Sequence, residues 1–170
     1  REQGKVRLRA VAVESPSDGI WLIEQGAVDV LQITHNILET EYQDELFAVA
    51  LEHGVGLLGR MPIARGVLTG KFSPNGQVAE GHRALNQRGR LATMLEKAED
   101  LRPLAASYEG GMTRMAHHYS LTPKAISAII PGARHSVQLQ ENVSASNGIG
   151  LPPELMTQIE ALQASWDQSS

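Results

Sequence analysis

Hydrophobic and polar positions alternate along Lys5–Val13, with Val6, Leu8, Ala10 and Ala12 on one side and Arg7, Arg9, Val11 and Val13 on the other. A period of two predicts a β-strand. Apolar runs of strand length at Val28–Ile33, Val55–Gly59 and Ala125–Ile130 predict three more. Between them the period becomes helical. Ser15-Pro16-Ser17-Asp18 opens a helix, because Ser or Asp can cap it and Pro fits its first turn; Gly26 can end it. Thr40 and Gln43 have capping-box spacing ahead of Leu46, Phe47, Val49, Ala50 and Leu51, with a stop at His53-Gly54. Leu91, Met94, Leu95, Ala98, Leu101, Leu104, Ala105 and Tyr108 recur at helical spacing, with a kink expected at Pro103. A short helix is expected around Met115–Tyr119. Ser136 opens another, with Leu139, Val143 and Ala145 on its apolar side. Pro152-Pro153-Glu154 opens the last, with Leu155, Ile159, Leu162 and Trp166 on one face.

Strand followed by helix, four times over, implies an α/β fold of parallel βα units with right-handed crossovers. No linker divides the chain. The stretch Met61–Arg88 is rich in Gly, Pro, Asn and Ser, and it is too long for a plain connector. It follows a strand end, where an active-site loop belongs.

Composition narrows the function classes. At 170 residues, 42% hydrophobic and 20% charged, the chain suits one globular domain. Lys+Arg 15 against Asp+Glu 19 gives a net charge of −4, which argues against nucleic-acid and anionic-membrane surfaces. The absence of Cys excludes disulfides, thiolate metal sites and a cysteine nucleophile, and it fits a reducing, cytoplasmic setting. No apolar run reaches the roughly 20 residues of a membrane span. The chain begins at Arg1 rather than Met, so a piece of something longer is expected.

In parallel α/β folds the chemistry lies at the C-terminal ends of the strands. These ends carry Glu14 and Ser15, then Gln32, Thr34, His35 and Asn36, then Arg60 with Met61–Gly66, then Pro131–Arg134. Gln32 is an amide inside Val-Leu-Gln-Ile, where an apolar residue is expected. It either meets a ligand's amide or bonds a neighbouring strand or loop, and pattern alone leaves both open. The fourth end can form an anion site from Gly132, Arg134 and the N-terminus of the helix at Ser136, or Arg134 is simply solvated. Gly54–Gly59 matches GxGxxG, but a helix precedes it and Arg60-Met61-Pro62 follows, so the dinucleotide motif is rejected in favour of tight strand packing. The six histidines form no metal-ligand pattern, and only His35 sits on the rim. Glu39, Glu41, Asp44 and Glu45 read as a solvated helix start.

Four blocks together resemble the aldo-keto reductases: Val28–Ile33, His53–Leu57, Pro62–Lys71, and Ile129–Arg134 with Gln138, Glu141 and Asn142. The resemblance runs from about Gly4 to Trp166. It implies the C-terminal half, the last four strands, of a (β/α)8 barrel, in a family that passes a hydride between NAD(P)H and a carbonyl or alcohol without metal. By that resemblance Gln32 binds the nicotinamide carboxamide, Arg60 lies beside the ring, and Met61 also belongs to the cofactor-binding set. Pro62, Ile63, Gly66, Leu68 and Lys71 cover the pyrophosphate. Gly132, Arg134, Gln138, Glu141 and Asn142 hold the adenosine and its 2′-phosphate. Arg134 implies NADP(H) as cofactor over NAD(H).

Three departures accompany the match, one of them a shortening near Met112–His118 relative to the family's usual helix. Val13-Glu14-Ser15 stands where the family has Val-Ser-Asn or a related serine run, and a shifted register puts Ala12 at the serine. The largest departure is that the family's catalytic tetrad of Asp, Tyr, Lys and His belongs to the first four strands, and no residue here matches it. The expected activity, carbonyl reduction to alcohols, then needs the N-terminal half. The alternatives are a non-catalytic nucleotide-binding half-barrel pairing with a second copy, or a binding module.

Overall fold

The register of the strands follows the alternation of their side chains. In the computed structural model, which describes residues 3–78, 80–85 and 89–168 (of Arg83 only the backbone), four strands form one parallel sheet in chain order. They are β1 (Ala10–Ala12), β2 (Val30–Thr34), β3 (Gly56–Arg60) and β4 (Ile126–Ile130). Arg1, Glu2 and the 86–88 end of the expected rim loop lie outside the described residues.

Leu31, Ile33 and Leu57 point to one face and are fully buried there. Ala12, Gln32, Leu58 and Ala128 pair across the sheet on the other face, where Gln32 and Leu58 are half-buried and Ala12 and Ala128 exposed. A parallel sheet is normally covered on both faces. Here the helices cover one.

β1 is shorter than the expected Lys5–Val13 because its partner begins at Val30. Arg9 still bonds Asp29, its N–H donating to Oδ2 at 2.8 Å, but Val6 and Leu8 have no strand beside them and are 52% and 59% exposed. β3 and β4 approach closely because of glycine. A Cβ at Gly56 would lie 3.2 Å from Ser127 Oγ, and one at Gly59 would lie 3.3 Å from Ile129 Cγ2. These glycines pack strands, as the rejection of GxGxxG expected.

The helices are α1 (Pro16–Glu24), α2 (Glu45–Glu52), α3 (Leu91–Asp100), α4 (Arg102–Ala106), α5 (Gly111–Leu121), α6 (Ser136–Ser144) and α7 (Pro153–Asp167). Ser15 caps α1 as expected, its Oγ accepting the Asp18 N–H at 3.2 Å. The capping box at Thr40 does not form. α2 starts at Glu45, and the Gln43 amide instead donates to Tyr119 Oη at 2.6 Å. The expected kinked helix is two helices broken at Leu101, with Pro103 in the first turn of α4, where its missing N–H is not needed. α5 extends to eleven residues; its burial of His117, His118 and Ser120 hides the apolar stripe from a sequence reading. α6 itself buries no residue, and Leu139 and Val143 are 56% and 66% exposed while Ala145, just past its end, is buried, so its expected apolar side is covered only at the C-terminal end. Two apolar cores result, one between α1, α2 and the sheet, and one joining α3, α5 and α7 to the loop after β3.

Candidate active site at the C-terminal rim

β2 and β3 run in register from Val30 opposite Gly56 to Thr34 opposite Arg60, which sets Gln32, Thr34 and Arg60 on the open face. Above Thr34 and Arg60 lies a cleft of about 440 Å³, lined among others by Glu14, Ser15, Thr34, Tyr42, Arg60 and Arg65; Gln32, deeper along β2, does not line it. Arg60 donates from Nη2 to Glu14 Oε1 at 2.7 Å, and its Nε is buried without a partner. Tyr42 Oη donates to the Val13 carbonyl at 3.3 Å; burial raises the tyrosine's pKa and the nearby Arg60 charge opposes that. Gln32 is half-buried, and its amide makes no hydrogen bond among the described residues. Among the described residues the alternative expected for it, a bond to a neighbouring strand or loop, is not made.

The loop after β3 is bent by unusual backbone. Met61, Ala64 and Arg65 have φ of 58°, 46° and 55°, and Gly66 has 106°. Non-glycine residues in this region are sterically disfavoured and persist only where their surroundings hold them. Asn36 Nδ2 donates to the Met61 carbonyl at 3.0 Å, the Ala64 N–H returns to the same carbonyl at 2.8 Å, and Thr69 Oγ1 donates to Gly66 O at 2.7 Å. Of the residues expected here, Pro62, Gly66 and Leu68 are buried, Met61 and Ile63 half-buried, and Lys71 exposed. The Leu68 side chain lies wholly in the core, so only its backbone is available to a ligand. A Cβ on Gly66 would meet His82 Cε1 at 3.1 Å.

At the fourth strand end Gln138 and Asn142 reach back to the turn that carries Arg134. Gln138 Oε1 accepts the Arg134 N–H at 2.8 Å, and Asn142 Nδ2 donates to Gly132 O at 3.4 Å. Their amides therefore shape the turn. Gly132, Arg134 and Glu141 are exposed, and the Arg134 guanidinium makes no ion pair among the described residues.

His35 does not face the cleft. It lies on the covered face, 0% exposed, with Tyr119 stacked at 5.7 Å and Phe47 edge-on at 5.3 Å. Burial lowers its pKa to about 4, so it stays neutral and offers no proton to the rim. His117 is lowered to about 4 by burial and then by His118, which contacts Tyr108 Oη through Nδ1 at 2.5 Å.

Glu39 is the residue that the sequence reading misplaced. It is 4% exposed, accepts from Asn36 at 2.9 Å and from Arg90 at 2.9 Å, and belongs to the cleft wall. The available signal was its place between Ile37-Leu38 and Tyr42, in a segment otherwise too apolar for a solvated run. Arg90, far along the chain, gave none.

The match to known proteins covers nearly the whole chain. The model of the aldo/keto reductase family matches residues 1–164. An uncharacterized oxidoreductase of Bacillus subtilis is 31% identical over 170 residues, spanning 99% of this chain and 53% of that protein. The NADH-specific methylglyoxal reductase of Escherichia coli is 25% identical, over 86% of this chain and 46% of its own length. In fold, the holo form of an aldo-keto reductase from Bacillus halodurans overlays with a TM-score of 0.75 at 22% identity, covering 95% of this chain and 51% of that one. The chain thus spans about half the length of these relatives, and its four parallel strands correspond to half of their fold. On the family match, this chain belongs to the aldo/keto reductase family.

Proposed function

We propose that the chain is the C-terminal, cofactor-binding half of a (β/α)8 barrel that reduces carbonyl compounds to alcohols with NADP(H). The observation that carries this is the Gln32 amide, half-buried on the open face without an internal partner. A polar group so placed is suited to a ligand's own amide. The rest of the rim fits a dinucleotide in order. The bent loop Met61–Gly66 and Lys71 would hold the pyrophosphate, with Pro62, Ile63 and Leu68 shaping it. Arg134, uncommitted to any carboxylate, would meet a 2′-phosphate beside the N-terminus of α6. Gln138 and Asn142 would hold the turn around the adenosine, with Glu141 beside them.

When bound, the nicotinamide supplies or accepts a hydride. This chain's residues orient it: Gln32 would fix its amide, and Arg60, tied to Glu14, would stand beside the ring. In this reading the proton comes from a family tyrosine in the preceding half, and the chain alone, in a cytoplasmic setting, binds without turning over. Calorimetric titration tests it. NADPH should bind and NADH more weakly, and Arg134→Gln should erase the difference. No binding of either dinucleotide at millimolar concentration overturns the reading. Trp21 and Trp166 do not line the cleft, so intrinsic fluorescence is the poorer probe.

A second reading is favoured by one observation. The outer edges of β1 and β4 are unpaired among the described residues, and Ile130 of β4, Trp21 of α1, and Leu139 and Val143 of α6 are 47–66% exposed. Two copies could join β4 of each to β1 of the other, closing an eight-stranded ring. Sedimentation giving a monomer would dismiss it.

A further inference from the structure

Asn36 is fully buried immediately beyond β2 and uses both ends of its amide. Its Oδ1 accepts the N–H groups of Leu38 at 2.9 Å and Glu39 at 3.1 Å. Its Nδ2 donates to Glu39 Oε2 at 2.9 Å and to the Met61 carbonyl at 3.0 Å. The other oxygen of Glu39 accepts Arg90 Nη2 at 2.9 Å, and Glu41 lies 3.8 Å from Arg90 Nη1. The Arg90 carbonyl accepts the Met94 N–H at 3.0 Å, in the first turn of α3. One buried amide and one buried carboxylate therefore join three segments distant in sequence: the turn after β2, the first residue of the bent loop, and the start of α3.

The bent loop needs such a hold. Met61, Ala64 and Arg65 all occupy the left-handed region, with φ of 58°, 46° and 55°. The Met61 carbonyl is the shared acceptor of Asn36 Nδ2 and the Ala64 N–H, so its direction sets the bend. Glu39 fixes which way Asn36 points, and Arg90 balances the Glu39 charge. Arg90 is the accessible member, its side chain 52% exposed against 5% for Glu39. Without Arg90 the buried carboxylate loses its counter-charge and must turn toward water, which draws it away from Asn36.

We infer that Asn36, Glu39 and Arg90 are positioning residues that hold the Met61–Gly66 loop in its bent, ligand-ready shape. The inference rests on the reading of that loop as the dinucleotide-binding loop. None of the three is assigned a ligand contact.

The test compares Arg90→Gln and Arg90→Lys with the wild type, using amide hydrogen exchange and NADPH calorimetry well below each melting temperature. In Arg90→Gln, exchange at Ala64, Gly66 and Leu68 should rise about tenfold while α7 is unchanged. NADPH affinity should fall about tenfold, and Arg90→Lys should stay within about threefold on both measures. If Arg90→Gln does not fold, Glu39→Gln, which keeps the shape and removes the charge, carries the same comparison. Unchanged exchange in the loop, or unchanged affinity where the wild type binds, overturns the inference and leaves the dinucleotide reading intact. If the wild type binds no dinucleotide while loop exchange rises as expected, the dinucleotide reading fails and the positioning network stands.

Discussion

Arg60, the last residue of β3, reaches across the sheet end to Glu14, beyond β1, and their side chains meet at 2.7 Å. The pair spans the end of β2 between them and crosses the cleft that the strand ends enclose.

Its stabilising effect should nevertheless be small. The Glu14 side chain is 65% exposed, and an ion pair so placed contributes about 0–1 kcal/mol. Glu14→Gln should therefore shift the free energy of unfolding by less than about 1 kcal/mol, measured in urea. A larger loss would mean that Arg60 depends on Glu14 to stay at the rim.

Acid should act through buried imidazoles. The pKa values of His35 and His117 are lowered from 6.5 to about 4 in the folded protein. Above pH 6.5 both are neutral, folded or not, and stability is fully present. Between pH 6.5 and about 4 the unfolded chain takes up protons that the folded chain refuses, so stability falls with pH; below about 4 this loss levels off. Each histidine contributes at most about 3 kcal/mol to the fall. Urea midpoints at several pH values should show the decline, and His35→Phe should remove about half of it, leaving the share of His117.

Leu68 should behave as a core residue inside a binding loop. Leu68→Ala should cost about 2–5 kcal/mol, as full burial dictates, while Leu68→Met should cost less than about 1.5 kcal/mol and keep any dinucleotide affinity. Chemical denaturation with calorimetry separates the two effects.

Gly66→Ala should damage the loop itself. Its φ of 106° strains any L side chain, and a Cβ 3.1 Å from His82 Cε1 would need that ring to give way by a few tenths of an ångström. A loss of about 1–3 kcal/mol is expected, together with weaker NADPH binding in the same titration.

Leu139 tests whether α6 is covered in solution. For a chain that is alone, Leu139→Gln should change stability by less than about 0.5 kcal/mol, because the side chain is 56% exposed. A marked, concentration-dependent loss would show a partner on that face.

Local physics made much of the fold legible in advance. Alternation located β1 and apolar runs of strand length the other three strands, Ser15 and Pro16 announced α1, and Pro103 marked the α3–α4 break, because each signal is carried by adjacent residues. The rim was legible for the same reason: strand ends are local, so Glu14, Gln32, Arg60 and Arg134 could be named from their places in the chain. The order of the βα units and the family blocks likewise lie wholly in the sequence.

Tertiary structure alone decided what those residues do to one another. It turned His35 from the rim into the core, since two positions along a strand return a side chain to the same face as buried Ile33. It buried Glu39 by bringing Arg90 to it across 51 positions of chain. It left the faces of Leu139 and Gln32 open, because what covers a surface depends on neighbours and not on the residue's own pattern. Alternation and capping act between near neighbours, and a sequence displays them. Burial, ion pairing and the bend at Met61 arise from contacts between distant segments, and they exist only once the chain has folded.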